Sequence, residues 1–329
     1  MTVMACARLI VLRPRRYALI PLVALLFTVL IAQTPTYRQI ALWVQDAVHA
    51  ITAQRLRFEG VLVVDVDELT MSELESSVGA WPYPRRLYAG VVAYLISEGA
   101  RAVVFDMLLV EQRDGDDELS RALSRALSRH RNVWLAARGQ NFSLARQPGY
   151  FDQLQRYAWP VADDIPARSW PDMLLPTPAL GEQAGAAVIS VSADDDGVLR
   201  AIAPFHRAYG VAVPAMPLAV AYQLGEPPAV SVASHVLSIG EHRWPLDAQG
   251  RIVIQIPRNR DFLRVINFAQ VLAAAAGNSQ PPLDASQIRG RTVFLGSSAA
   301  ILGDYARLPI HGRTAGLAIL ALRTRFRPD

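Results

Sequence analysis

Apolar residues fall in two registers along this chain, and residues 61–110 show both in succession. Val61–Val66 is a continuous β-branched run of the kind buried on both faces of a sheet, and Ala102–Phe105 is a second. Between them, residues 85–97 place Leu87, Val91, Tyr94 and Leu95 at helical spacing and stop at Gly99, the glycine that follows many helices. Two buried strands joined by one helix are expected to pair in parallel through a right-handed crossover. Asp65, Asp67, Glu68 and Asp106 then gather at the carboxyl ends of neighbouring strands, where open α/β sheets place their ligand crevices.

The same pattern extends in both directions. Residues 37–57 carry Ile40, Trp43, Val44, Ala47, Val48 and Ile51 as a helical stripe. Residues 116–130 set leucines 119, 123 and 127 on one face and arginines 121, 125 and 129 on another, with Asp117 spaced to pair with Arg121. Residues 132–137 read as a third strand, and the Pro-rich, aromatic stretch 138–182 as a long excursion or lid. Residues 186–191 and 198–204 flank SADDDG as a hairpin with Gly197 at its turn. A short helix over 214–224 precedes strands at 230–232, 236–239 and 251–256, expected to be antiparallel to one another. A helix over 268–276 then leads into RGRTVFLGSSAAILGD, a buried strand followed by a small-residue turn and a helix. The fold class expected is α/β, a mixed, mainly parallel sheet flanked by helices and preceded by one N-terminal transmembrane helix.

Charge changes the picture at the N-terminus. Residues 1–57 hold seven arginines and one acid, Asp46, a balance of +6, so the remaining 272 residues sum to −2 against a total of +4. The basic surplus belongs to an arm, which argues against a nucleic-acid partner. Residues 17–32 are uncharged and follow RPRR at 13–16, as in a signal peptide or a short membrane anchor. Leu30-Ile31-Ala32 matches a cleavage site poorly, which favours an uncleaved anchor. The expected division is a cytoplasmic basic N-terminus (1–16), a transmembrane anchor (17–33) and an extracytoplasmic domain (34–329) with a connecting helix over 37–57. By the positive-inside rule the N-terminal end is cytoplasmic and everything after Gln33 lies outside, on a single pass.

Candidate chemistry is sparse. The chain has no lysine, which excludes Schiff-base chemistry and a Walker lysine, and its single cysteine, Cys6, excludes an intrachain disulfide or Cys-based zinc site. Trp81-Pro82-Tyr83-Pro84-Arg85 suits the start of a helix, with Pro84 in its first turn and Arg85 placed to pair with Asp67 or Asp106. The same residues serve either as scaffold or as the aromatic wall and anion clamp of a crevice. Asp65, Asp67 and Asp106 could hold a hard cation, or be satisfied by Arg85, Arg86 and helix amino ends. The second account is preferred, and no metal or cofactor is expected. Gly296-Ser297-Ser298-Ala299-Ala300 is a relaxed form of the G-x-S-x-G elbow, but the six histidines form no relay pattern around it.

Taken in order, VVDVDE (63–68), GAWPYPRRLYA (79–89), GARAVVFDMLLVE (99–111) and DDEL (116–119) resemble the opening of type-two CHASE domains, the extracytoplasmic sensors of bacterial cyclases, histidine kinases and serine/threonine kinases. The likeness continues through LLPTP (174–178), DDDGVLRAI (194–202), MPLAVA (216–221) and RGRTVFLGSSAAILGD (289–304), about residues 40 to 320. Tyr83 stands where the family has a second tryptophan. The resemblance implies a non-enzymatic, membrane-anchored sensor domain of a bacterial signal-transduction receptor, and in that bacterial family a single-pass chain with its bulk outside is a periplasmic domain on the inner membrane. It would detect an unknown small molecule or protein partner and signal to a cytoplasmic or membrane effector, a kinase or cyclase, absent from these residues. Sensors of this kind often dimerise, and a homodimer is left open. The ligand-binding residues expected are Asp65, Asp67, Trp81, Tyr83, Arg85 and Asp106. The alternatives are a periplasmic assembly or interaction subunit and a periplasmic hydrolase acting through Ser298.

Overall fold

A computed structural model describes residues 19–32, 34–128, 132–143, 146, 148–222, 228–279 and 282–322. The chain divides into two units, residues 1–52 and 53–329. The first holds helix α1 (Leu19–Ala32) and helix α2 (Pro35–Thr52). The basic segment 1–16 lies outside the described residues. At 14 residues α1 is about 21 Å long, short of a hydrocarbon core of roughly 30 Å. Among the described residues no helix is long and apolar enough to cross a membrane. The described part of the expected anchor over 17–33 thus gives a transmembrane span no support, and residues 17, 18 and 33 lie outside the described residues. The stripe of α2 is largely solvent-facing: Tyr37, Ile40, Trp43, Val44, Val48 and Ile51 are all exposed.

The second unit begins with an extended segment in place of the helix expected up to residue 57. Asn259 accepts from the Leu56 amide (2.8 Å) and donates to the Leu56 carbonyl (2.9 Å), while the Phe58 amide donates to the Phe262 carbonyl (2.9 Å). Backbone groups satisfied in this way are withdrawn from a helical ladder, and α2 stops at Thr52.

From there the chain runs through β1 (Val61–Asp65), α3 (Glu68–Val78), α4 (Arg85–Ser97), β2 (Ala102–Asp106), α5 (Asp116–Ser128) and β3 (Asn132–Gln140). The excursion 138–182 contains α6 (Tyr150–Arg156), β4 (Ala167–Ser169), β5 (Asp172–Leu174) and α7 (Pro178–Gly181). Next come β6 (Gly185–Val188), β7 (Ala201–Ile202), β8 (Phe205–Ala208), β9 (Val211–Pro214), α8 (Met216–Ala221), β10 (Val230–Ala233), β11 (Val236–Ile239), β12 (His242–Pro245) and β13 (Ile252–Val253). The chain closes with β14 (Arg264–Asn267), α9 (Phe268–Ala275), β15 (Thr292–Gly296), β16 (Tyr305–Leu308), β17 (Gly312–Ala315) and α10 (Gly316–Leu322).

The main sheet runs β14-β1-β15-β2-β3, with β6 also on β3, all parallel, and β5 antiparallel on the far end of β3. The mainly parallel α/β sheet read from the sequence is present. Its two opening strands are not neighbours, however, because β15 from the far end of the chain inserts between them. The two-residue alternation of each strand sorts side chains to opposite faces. Leu62, Val64, Val103, Phe105, Val293 and Leu295 pack with α3, α4, α5 and α9. Val63, Val104, Trp134 and Phe294 pack with α8 and α10. A sheet covered on both faces needs apolar residues at every position, which is why these strands read as unbroken hydrophobic runs.

Several local expectations change. The loop after β1 contains α3, capped by Asp67, which accepts from the Thr70 amide (2.8 Å) and hydroxyl (2.7 Å). Arg121 meets Glu118 (3.7 Å) instead of Asp117, whose backbone carbonyl it contacts. Leu119 and Leu123 are buried while Leu127 is exposed; Arg129 and His130 lie outside the described residues. The 186–191 and 198–204 stretches do not form a hairpin, since β6 joins β3 and β7 joins β13. Strands β10, β11 and β12 form an antiparallel meander, with His242–Pro245 as its third strand; β13 instead pairs with β7. The stretch after β15 makes a 3₁₀ turn at Ala300–Leu302, closed by Gly303 at φ 70°, before α10.

The DDDG turn, with Gly197 at φ 77°, has a structural role not foreseen. Arg200 is 1% exposed and meets Asp194 (3.0 Å) and both oxygens of Asp196 (2.9 and 2.7 Å); Arg251 adds bonds to Asp194 (2.7 Å) and Asp247 (2.8 Å). The Arg200 bond holds the Asp196 carboxyl below its ordinary value, so this stabilisation is lost as pH falls through that lowered pKa. Arg200→Ala takes the guanidinium from Asp196 and one of the two from Asp194, and is expected to cost about 3 kcal/mol in urea unfolding. Asp195→Asn, at an exposed position of the same turn, is expected to change stability by less than about 0.5 kcal/mol. Equal effects of the two substitutions would contradict this account.

Candidate functional site

The end of the sheet is built by three residues in register. Asp65, Gly296 and Asp106 end adjacent strands β1, β15 and β2 side by side. With one strand between them, the two aspartates stand roughly 10 Å apart at their Cα atoms, twice the strand spacing. They do not converge, and among the described residues no group of three or more His, Cys, Asp or Glu could hold a metal ion. The middle position is tight: a Cβ on Gly296 would lie 2.9 Å from Leu317 Cδ1 and 3.0 Å from Asp106 Cβ.

Asp65 is committed to the turn that follows β15. It accepts from the Ser298 amide (2.8 Å) and the Ser298 hydroxyl (2.5 Å), while the Ser297 hydroxyl donates to the Val66 carbonyl (2.5 Å). The Ala300 amide donates to Glu68 (2.5 Å), and the Tyr305 hydroxyl donates to the Ser298 carbonyl (2.6 Å). These bonds stitch the ends of β1 and β15 together. The Ser298 hydroxyl of the elbow-like sequence thus donates to a carboxylate and not to a histidine. His311, the histidine that follows the serine, stacks on Phe262 with ring centres 5.9 Å apart. Burial pushes the His311 imidazole below its ordinary value, toward the neutral form.

The other expected ligands divide between scaffold and crevice. Asp67 caps α3 and accepts from Asn267 Nδ2 (3.1 Å). Tyr83 is 1% exposed, stacked on Phe268 and edge-on to Trp81. Its hydroxyl has no hydrogen-bond partner among the described residues, and burial raises its pKa. Arg85 reaches neither Asp67 nor Asp106: its Nε lies 3.3 Å from Asp116 Oδ1, a pair about 5% exposed on each side. Burial lowers the Arg85 pKa and the neighbouring Asp116 opposes that shift. The Arg85 amide donates to the Asp114 carbonyl (3.1 Å), which fixes the start of α4 against the loop leading into α5.

Trp81, Arg85 and Asp106 line one crevice of about 920 Å³, at the carboxyl ends of β15, β2, β3 and β6. Asp65, Asp67 and Tyr83 stand outside its lining. Asp106, at the end of β2, lines this crevice, and the ends of the next two strands bring to it residues absent from the sequence reading. Arg138 lies on the last part of β3, and Ser190 and Ser192 follow β6, all on the crevice wall. The excursion contributes Arg168 and Trp170, and the turn after β15 contributes Asp304.

Gly139 permits this closure. A Cβ there would sit 2.2 Å from the Trp170 ring, so the indole rests on bare backbone. The Gly139 amide donates to Ser190 Oγ (2.9 Å), joining β3 to the segment after β6. Trp170 Nε1 donates to His206 Nδ1 (2.9 Å), and the Arg168 guanidinium lies 4.6 Å from the Trp170 ring centre.

The Asp65 carboxyl provides a test of the stitched sheet end. Desolvation outweighs the two lowering bonds from Ser298, so this group titrates above its ordinary value of 3.8. A raised folded-state pKa means that the stability contributed by its proton is present at low pH and lost as pH rises through the raised value. Ser298→Ala removes one lowering bond and is expected to move the Asp65 pKa higher still, read from the carboxyl carbon resonance in a pH titration. A lower value in that variant would contradict the assignment.

Comparison with known proteins bears on what this crevice serves. No curated protein matches this chain, and no solved structure matches it. The family described as CHASE2 domain matches over residues 22–323, the bulk of the chain. That family consists of extracytoplasmic sensor domains, and the matched span includes every strand of the sheet and every wall of the crevice. The chain belongs to the CHASE2 domain family.

Proposed function

We propose that this chain is the sensing part of a membrane-associated bacterial receptor. A small molecule enters the crevice between the Trp81–Arg85 turn and the strand ends carrying Arg138 and Ser190, and the response passes to an effector kinase or cyclase. The observation that carries this reading is the crevice itself, about 920 Å³ at the carboxyl edge of a parallel sheet, in a member of a sensor family. That edge is where open α/β sheets bind ligands, and the volume suits a small organic compound.

The route of the signal follows the sheet. Strand β15 borders the crevice through Ser297 and pairs with β1, and the segment entering β1 is clamped by Asn259 and Phe262. A ligand that favours one arrangement of the strand ends over another shifts the chain at 54–58, which leads back into α2. The domain sits outside the membrane, attached through the uncharged segment 17–33, with the arginines at 13, 15 and 16 on the cytoplasmic side.

Two measurements test these statements. Ser192→Trp fills the crevice from one wall without touching the sheet core. A strain carrying it at native abundance is expected to reproduce the transcriptional profile of a strain lacking the gene, and a native profile would contradict crevice sensing. For topology, a cysteine is introduced at exposed Ser231 beside the natural Cys6, and intact cells are treated with a membrane-impermeant maleimide. Labelling at 231 with protection at 6 is expected, and the reverse pattern would place the domain inside the cell.

A further inference from the structure

The crevice has a charge asymmetry that specifies its ligand. Its carboxylates, Asp106 and Asp304, are each engaged in interactions of their own. The buried Arg85 is neutralised by Asp116. Arg138 and Arg168, in contrast, are exposed on the crevice wall, and among the described residues neither guanidinium has an anionic partner. They also belong to one side of the crevice. Arg138 adjoins Gly139, the Trp170 ring lies against Gly139, and the Arg168 guanidinium stacks on that ring at 4.6 Å. Stacking on an indole leaves the in-plane N–H groups of a guanidinium available for a bidentate acceptor.

The crevice also has an apolar, aromatic lining. Trp81, Met107, Leu109 and Leu302 face the same space, and Phe142 is 61% exposed at its edge. Two available guanidiniums in a crevice that also has apolar and aromatic lining fit an anionic head attached to an apolar ring. Resting on the reading of this crevice as the sensing site, we infer that its ligand is a small aromatic anion, a carboxylate or a phosphate ester. Arg138 and Arg168 grip the head, and Trp81 and Phe142 cover the ring. Planar carboxylate and phosphate groups both accept the paired N–H bonds that arginine offers, so the two heads share one recognition chemistry.

Calorimetry on the full chain in detergent with benzoate, phenyl phosphate and uncharged benzyl alcohol tests this. Either anion is expected to bind, and the alcohol is not. Arg138→Gln and Arg168→Gln are each expected to weaken binding about tenfold or more. Both side chains are exposed, so the variants should retain the native melting temperature. The stronger of the two anions identifies the head group. Absence of binding by both anions, equal binding of the alcohol, or anion binding unchanged in both variants would overturn the inference. The outcome is separable from that of the blocked crevice. If Ser192→Trp abolishes signalling and no anion binds, the sensing site stands with a ligand of other chemistry. If anions bind and the blocked strain signals normally, the anion site stands and crevice sensing falls.

Discussion

The pairing of β15 between β1 and β2 is the constraint on which the rest of the molecule depends. Val61–Asp65 and Ala102–Asp106 are strongly apolar, but they become parts of one sheet only when Thr292–Gly296 returns to fill the gap between them. The hydrogen bond from Ser297 to Val66 closes a sequence separation of 231 residues. Parallel pairing over such a distance gains its stabilisation only after a large loop has closed, so it can form only as part of a cooperative whole. The insertion also sets the geometry of the functional edge. Gly296 sits between Asp65 and Asp106, keeps the two carboxylates apart, and gives Asp65 to the Ser298 turn and Asp106 to the crevice.

The crevice is thus a consequence of the closure. Strand ends β15, β2, β3 and β6 form its floor, and the cover comes from segments held by particular contacts. The Trp81–Arg85 turn is fixed by the Arg85–Asp116 pair, and the excursion is fixed by Trp170 lying on Gly139 and donating to His206. Buried ion pairs contribute little net stability against a well-packed apolar alternative, but removing one partner is costly. Arg85 therefore specifies where the turn sits. The sequence leaves Arg85 as scaffold or anion clamp; in the structure its guanidinium pairs with Asp116 while the residue lines the crevice.

How much could be read from the sequence follows from the range of the interactions involved. Runs such as VLVVD and AVVFD are legible because burial on both faces demands apolar residues at every position, and the strand-end rule then points to Asp106, which lines the crevice. The order of strands was not legible, because nothing within residues 61–110 reports that a strand from 292–296 will separate its two ends. With β1 and β2 taken as neighbours, Asp65, Asp67 and Asp106 seemed to converge; in the structure one binds a serine turn, one caps a helix and one faces the crevice. Arg138 and Ser190 obey the rule that found Asp106, and could have been named once 132–137 and 186–191 were accepted as strands. Arg168 and Trp170 depend on how the Pro-rich excursion folds back, which no local periodicity encodes. The 37–57 helix was overextended for a similar reason: residues 54–58 pair with 258–262, about 200 residues away in sequence.

The central claim is that ligand binding acts at the carboxyl edge of the sheet. Hydrogen exchange of the chain in isolated membranes, with and without saturating phenyl phosphate, tests it most directly. The account predicts slower exchange at the amides of 138–142 and 189–192, with a change propagated to 54–58. Protection confined to the separate cavity around Arg57, Asp261 and Arg291, with the crevice segments unchanged, would contradict it.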